Sequence, residues 1–126
     1  ATLGGDEFDL KKTLQSDKSV VLVFFDTTSE PCVSMMPLVN GFAGRRGVKV
    51  VGVCVDSDRA AVERFVSEHC PKIAVILDGK ETIRNAFGAG TLPSILVIRS
   101  DGKVIMWTEG HNLQIDDLLR KALGSL

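Results

Sequence analysis

Apolar positions along this chain fall into short unbroken runs and into helix-spaced stripes that alternate from end to end. "SVVLVFFD" (19–26) and "VKVVGVCVD" (48–56) are continuous and β-branched, as expected of strands covered on both faces. Between them, residues 30–46 carry Cys32, Met35, Met36, Val39 and Phe42 at helical spacing, which predicts a helix with one broad apolar face. "DRAAVERFVSEHC" (58–70) predicts an amphipathic helix with Val62, Phe65, Val66 and Cys70 on its stripe, stopped by Pro71. "IAVILD" (73–78) reads as a short strand and "KETIRNAFGAG" as a short helix ending in glycines. "SILVIRSDGKVIMWTEG" reads as a hairpin turning at Ser100-Asp101-Gly102-Lys103. "QIDDLLRKAL" closes the pattern as a helix with Ile115, Leu118, Leu119 and Leu123 inward, and "FDLKKTLQSD" leads in as a weak helix or an extended segment.

The order β-α-β-α-(β)-α-β-β-α predicts an α/β fold: a mixed central β-sheet with helices on both faces, a three-layer α/β/α sandwich. The first two strong strands, joined by a helix, should be parallel with a right-handed crossover. The final hairpin must be antiparallel. Residues 1–126 are expected to form one domain, a length that supports a sizeable core.

Composition narrows the function classes. The chain is 44% hydrophobic and 25% charged with a net charge of -1, which fits a soluble globular domain and offers no basic block for nucleic acid. The apolar runs are strand length, too short to span a bilayer. Three cysteines (Cys32, Cys54, Cys70) at irregular spacing argue against a disulfide scaffold, and with His69 and His111 far apart no metal-ligand pattern is visible. No cofactor and no metal are therefore expected.

The chemistry concentrates in "TTSEPCVSMMP" (27–37), where the first strand hands over to the second helix. Ser29 is a favoured N-cap type whose oxygen could accept from the Cys32 N–H, and Pro31 fits a first turn. Ser-Glu-Pro-Cys is therefore a good helix start on its own. Cys54 and Cys70, on apolar strand and helix faces, are expected to be buried, unpaired and structural. Met35 and Met36 should line core and groove, Trp107 should pack, and Glu30 should face solvent. Asp26 stands close enough to influence the local field.

Three segments, "VVLVFFDTTSEPCVSMMP", "VKVVGVCVD" and "TLPSILVIRSDGKVIMWTEG", give the chain a resemblance to the thioredoxin fold, and within it to the TlpA/ResA-type thiol–disulfide oxidoreductases, over roughly residues 8 to 123. In that family an aromatic-bearing strand leads into Trp-Cys-x-x-Cys, with a proline eight residues after the first cysteine. Pro37 keeps that register relative to Ser29. The resemblance implies that Cys32 occupies the resolving position and Ser29 the position of the lost nucleophile. It also implies a cis-proline at Pro93, facing the Ser29–Cys32 turn, with Thr91, Leu92, Pro31 and Thr28 completing a surface for a protein or peptide thiol/disulfide partner. Thr28 replaces the family tryptophan and Ser29 replaces the attacking cysteine, a degenerate CxxC motif. A serine hydroxyl does not ionise near neutral pH and forms no disulfide, so dithiol redox activity should be lost or impaired. The family places such domains outside the cytoplasm, in the periplasm or its equivalent, often with a membrane tether that would lie outside this segment.

Two other classes share the fold. A redox-silent module would keep the proline groove and bind an extended peptide by strand-like pairing. A one-cysteine peroxidase of the peroxiredoxin type carries Thr/Ser-x-x-Cys, but Phe25 stands where its proline would be and Pro93 where its arginine would be. The fate of Cys32 separates them: exposed and reactive for chemistry, buried and inert for binding.

Overall fold

The computed structural model describes residues 2–5, 7–16, 18–112 and 114–124. Among these residues run five strands: β1 (Ser19–Phe25), β2 (Val48–Cys54), β3 (Ala74–Leu77), β4 (Ser94–Ile98) and β5 (Val104–Glu109). Five helices accompany them: α1 (Leu10–Gln15), α2 (Glu30–Asn40), α3 (Arg59–His69), α4 (Thr82–Phe87) and α5 (Ile115–Leu123). They form one mixed sheet in the order β3-β2-β1-β4-β5. β1 pairs β2 in parallel, β2 pairs β3 in parallel, and β4 runs antiparallel to both β1 and β5. The α/β fold and the strand directions agree with the sequence pattern.

β1 is an unbroken apolar run because it has no solvent side. Val21, Val23 and Phe25 join Met35, Met36 and Val39 of α2, Val62 and Phe65 of α3, and Ile115, Leu119 and Leu123 of α5 in one core layer. Val20, Leu22 and Phe24 point the other way, where Phe8, Leu10 and Leu14 and then Ile83 and Phe87 of α4 pack on them. Aromatic contacts link strand to helix in both layers, with ring centroids 5.5 Å apart for Phe25–Phe65 and 5.6 Å for Phe24–Phe87.

Several boundaries differ from the sequence reading. The helix predicted to reach residue 46 ends at Asn40, with Gly41 as its cap and a turn through Gly44, whose φ of +87° suits glycine. Phe42 stays buried, but from that turn. β2 stops at Cys54; just beyond it Val55 still donates to the Phe25 carbonyl, and the Asp56 carboxylate accepts from the Thr27 N–H. Leu118 is half-buried rather than inward. α4 is started from a distance: buried Asp78 accepts from the N–H groups of Ile83 and Arg84, while Glu81 takes a left-handed φ of 59°. Trp107, expected to pack, is 40% exposed on β5, the edge strand of the sheet. No helix among the described residues is long and apolar enough to cross a membrane.

Candidate functional site

β1 delivers the chain to the site, and two carboxylates then fix its course. Asp26 Oδ1 accepts from the N–H of Ser29 at 2.8 Å and of Thr28 at 3.2 Å, a side-chain-closed turn of the kind aspartate favours. Asp56, just beyond β2, accepts from the Thr27 N–H at 3.0 Å and from the Thr27 hydroxyl. The 27–29 backbone is thereby held from both sides before α2 begins.

Ser29 occupies the N-cap position with extended backbone (φ −80°, ψ 140°), and its carbonyl accepts from the Val33 N–H at 3.1 Å. The expected side-chain cap does not form. Ser29 Oγ is buried and makes no hydrogen bond of normal geometry. It stands near enough to the Cys32 thiol to lower its pKa as a hydrogen-bonding group. The backbone just before the helix is held by Asp26 instead, through the N–H groups of Thr28 and Ser29. Glu30 is exposed, as expected, and accepts from the Ser34 hydroxyl at 3.1 Å.

Cys32 is fully buried. Burial pushes its thiol pKa above the ordinary value; the Ser29 hydroxyl and the Asp26 backbone N–H pull it part of the way back, and the Asp26 carboxylate adds a smaller push upward. A thiol held in the protonated form and shielded from solvent is a poor nucleophile. Cys54 and Cys70 are free, fully buried and pushed up to about 12, by burial above all. That agrees with their structural reading.

The second half of the site is the loop before β4. The Leu92–Pro93 bond is cis, as the resemblance implied, and Pro93 is buried. Phe24 of β1 lies opposite Ser94 of β4, so the Pro93 loop and the Asp26–Cys32 turn emerge from neighbouring strands at one end of the sheet. Thr28 and Thr91 are exposed there, and Pro31 and Leu92 half-buried. The loop is braced on every side. Arg84 donates to the carbonyls of Ala89 and Gly90, Glu109 accepts from the Thr91 N–H, the Ser94 hydroxyl donates to the Thr91 carbonyl, and the Gly110 N–H donates to the Pro93 carbonyl. The N–H and C=O of Leu92 are left without a partner among the described residues. Asp56, Arg84 and Glu109 were not singled out in the sequence, because each acts on a segment that only the fold brings near. Among the described residues no group of three or more His, Cys, Asp or Glu could hold a metal.

A strand–turn–helix junction beside a cis-proline loop, on this sheet order, defines the thioredoxin-fold class. The sequence matches the Redoxin family over residues 1–119. The thiol–disulfide oxidoreductase ResA of Bacillus thuringiensis (strain Al Hakam) is 31% identical over 124 residues, covering 94% of this chain and 70% of that protein. A secreted Mycobacterium tuberculosis disulfide oxidoreductase homologous to E. coli DsbE superposes with a TM-score of 0.84 at 23% identity, over 100% of this chain and 93% of its own. StoA from Bacillus subtilis follows with a TM-score of 0.79 at 18% identity, over 98% and 92%. The chain belongs to the redoxin family, among the thioredoxin-like thiol–disulfide oxidoreductases.

Proposed function

We propose that this single domain keeps the partner-docking geometry of its family while lacking dithiol exchange. The observation that carries this is the complete burial of Cys32 beneath a serine. In dithiol exchange a thiolate at position 29 would attack a partner disulfide, and Cys32 would then resolve the mixed disulfide. Ser29 supplies no thiolate, and Cys32, buried and held protonated, does not take over the attack. What remains is a binding surface. Leu92 offers an N–H and a C=O that no described residue engages, beside a buried cis-proline, the pattern by which an extended polypeptide adds itself as a strand. Thr91, Leu92 and Pro93 would hold that segment, with Thr28 and Pro31 at its side.

The partner in this reading is a protein or peptide that carries a thiol or disulfide. A place outside the cytoplasm is supported by the M. tuberculosis relative, which is secreted. The test pairs a protein-disulfide reductase assay with a peptide titration of the unmodified protein. No turnover with saturable peptide binding is expected. Turnover by the unmodified protein contradicts the loss of exchange.

A further inference from the structure

The loop from α4 to β4 is held by charged side chains that bond to its backbone. Gly88 leaves α4 with a left-handed φ of 72° and Gly90 follows two residues on, so this backbone has wide freedom of its own. Arg84 restricts it. Its Nε donates to the Ala89 carbonyl at 3.0 Å, Nη2 donates to the Gly90 carbonyl, and Nη1 donates to Glu81 Oε1 at 2.6 Å. The Ala89 N–H donates in turn to the Arg84 carbonyl at 3.1 Å. The Arg84 side chain is 24% exposed, and each of its three nitrogens bonds within the protein. From the β5 side, Glu109 accepts from the Thr91 N–H at 3.1 Å. The backbone groups that lead to the open N–H and C=O of Leu92 are thus fixed one by one.

Glu81, which holds Arg84, stands in an unfavourable backbone conformation. Its φ of 59° is left-handed, a region that glycine adopts freely and glutamate rarely. Such a conformation persists only where the surroundings impose it. What a glutamate supplies there, and a glycine would not, is the carboxylate on Arg84. The backbone of Arg84 is fixed as well, because buried Asp78 accepts from its N–H at 2.9 Å and from that of Ile83 at 3.1 Å.

We propose that Arg84, oriented by Glu81, is a positioning residue for polypeptide docking: it holds the Ala89–Gly90 backbone so that Leu92 presents its N–H and C=O before a partner arrives. This rests on the docking function proposed above. Arg84 acts through the loop, not on the partner. Lysine is no substitute, since one ammonium lacks the planar fork that reaches two carbonyls and a carboxylate together. A loop freed of this brace visits the docking conformation only part of the time. Apparent affinity falls by that fraction, through slower association, while the complex once formed dissociates as before.

The experiment measures association and dissociation rates by surface plasmon resonance, with S-alkylated insulin B chain as the extended polypeptide. Arg84→Lys is expected to slow association about tenfold, as a competent fraction of about one in ten requires, with dissociation unchanged. Hydrogen exchange should quicken at the Thr91 N–H and stay unchanged in β1. Glu81→Gly relieves the left-handed backbone and removes the carboxylate together, so it should slow association without lowering the thermal midpoint. That divergence of binding from stability is what a merely structural role would not produce. Unchanged association in Arg84→Lys overturns the positioning role, as does a loss that appears in the dissociation rate. A fall in binding that tracks a fall in thermal midpoint in both variants overturns it too. Failure of the unmodified protein to bind the B chain overturns the docking function and the positioning role with it.

Discussion

Replacing Asp26 measures what holds the turn. Its Oδ1 receives two backbone N–H groups, from part-buried Ser29 at 2.8 Å and from the exposed Thr28 at 3.2 Å. Asp26→Ala removes both bonds, and water can replace only the outer one easily. At about 1 kcal/mol per bond, with a further ~0.5 kcal/mol for the lost charge near the start of α2, the loss is about 2.5 kcal/mol. Unfolding entropy of about 2.1 cal/mol/K per residue gives roughly 0.26 kcal/mol/K for 126 residues, so Tm should fall by about 10 °C. Asp26→Asn keeps an oxygen acceptor and loses only the charge, so it should cost about 0.5 kcal/mol, or about 2 °C. Thermal unfolding followed by circular dichroism reads both variants against the unmodified protein. If Asn costs as much as Ala, the charge and not the acceptor geometry holds the turn. If Ala costs nothing, the turn is held elsewhere and the two Asp26 bonds contribute nothing to it.

Alkaline stability should report the buried thiols. Burial raises the folded-state pKa of Cys54 and Cys70 from 9.0 to about 12, so their contribution is intact below about pH 9 and is lost as pH climbs towards about 12. Each thiol should then cost about 1.4 kcal/mol per pH unit across that window, and urea midpoints that stay flat from pH 9 to 11 would contradict their burial as thiols. In the core, Gly52→Ala should destabilise by about 2 kcal/mol, because its Cβ would stand 2.9 Å from Phe25 Cε1 and 3.3 Å from Val75 Cγ2. Gly4→Ala, where nothing lies within 4 Å, should change the urea midpoint little, and equal effects of the two substitutions would remove overpacking as the cause.

Much of the fold was legible because burial writes itself into local pattern. β1 and β2 sit between two helical layers, so beyond Ser19 and Lys49 near their starts they carry no polar side chain that could obscure the pattern. The stripes of α3 and α5 mark their buried faces at Val62, Phe65, Ile115, Leu119 and Leu123. The end of α2 was not legible, since Phe42 continues the apolar spacing past Gly41 while the backbone has already left the helix. Trp107 was misjudged for a related reason: residue type says that tryptophan buries well, but only topology says that β5 is an edge. At the site, Ser29 and Cys32 stood out by spacing and Pro93 by its place in a motif. The bonds that hold them did not stand out. Asp56 and Thr27 are far apart in sequence, as are Glu109 and Thr91, and nothing local marks either pair.

The central claim is that the site is complete except for one sulfur, and Ser29→Cys tests it most directly. A cysteine there would stand at the start of α2, where the helix N-terminus favours its thiolate by about 1 kcal/mol, one turn from Cys32. The measurement is protein-disulfide reduction by the unmodified and substituted proteins, with the 29–32 disulfide followed by thiol titration. The account predicts no turnover before the substitution and measurable, partial turnover after it, since Thr28 still stands in place of the family tryptophan. A variant that forms the disulfide and remains inactive would contradict the claim, because then the surface around the sulfur, and not the sulfur alone, has left the family's chemistry.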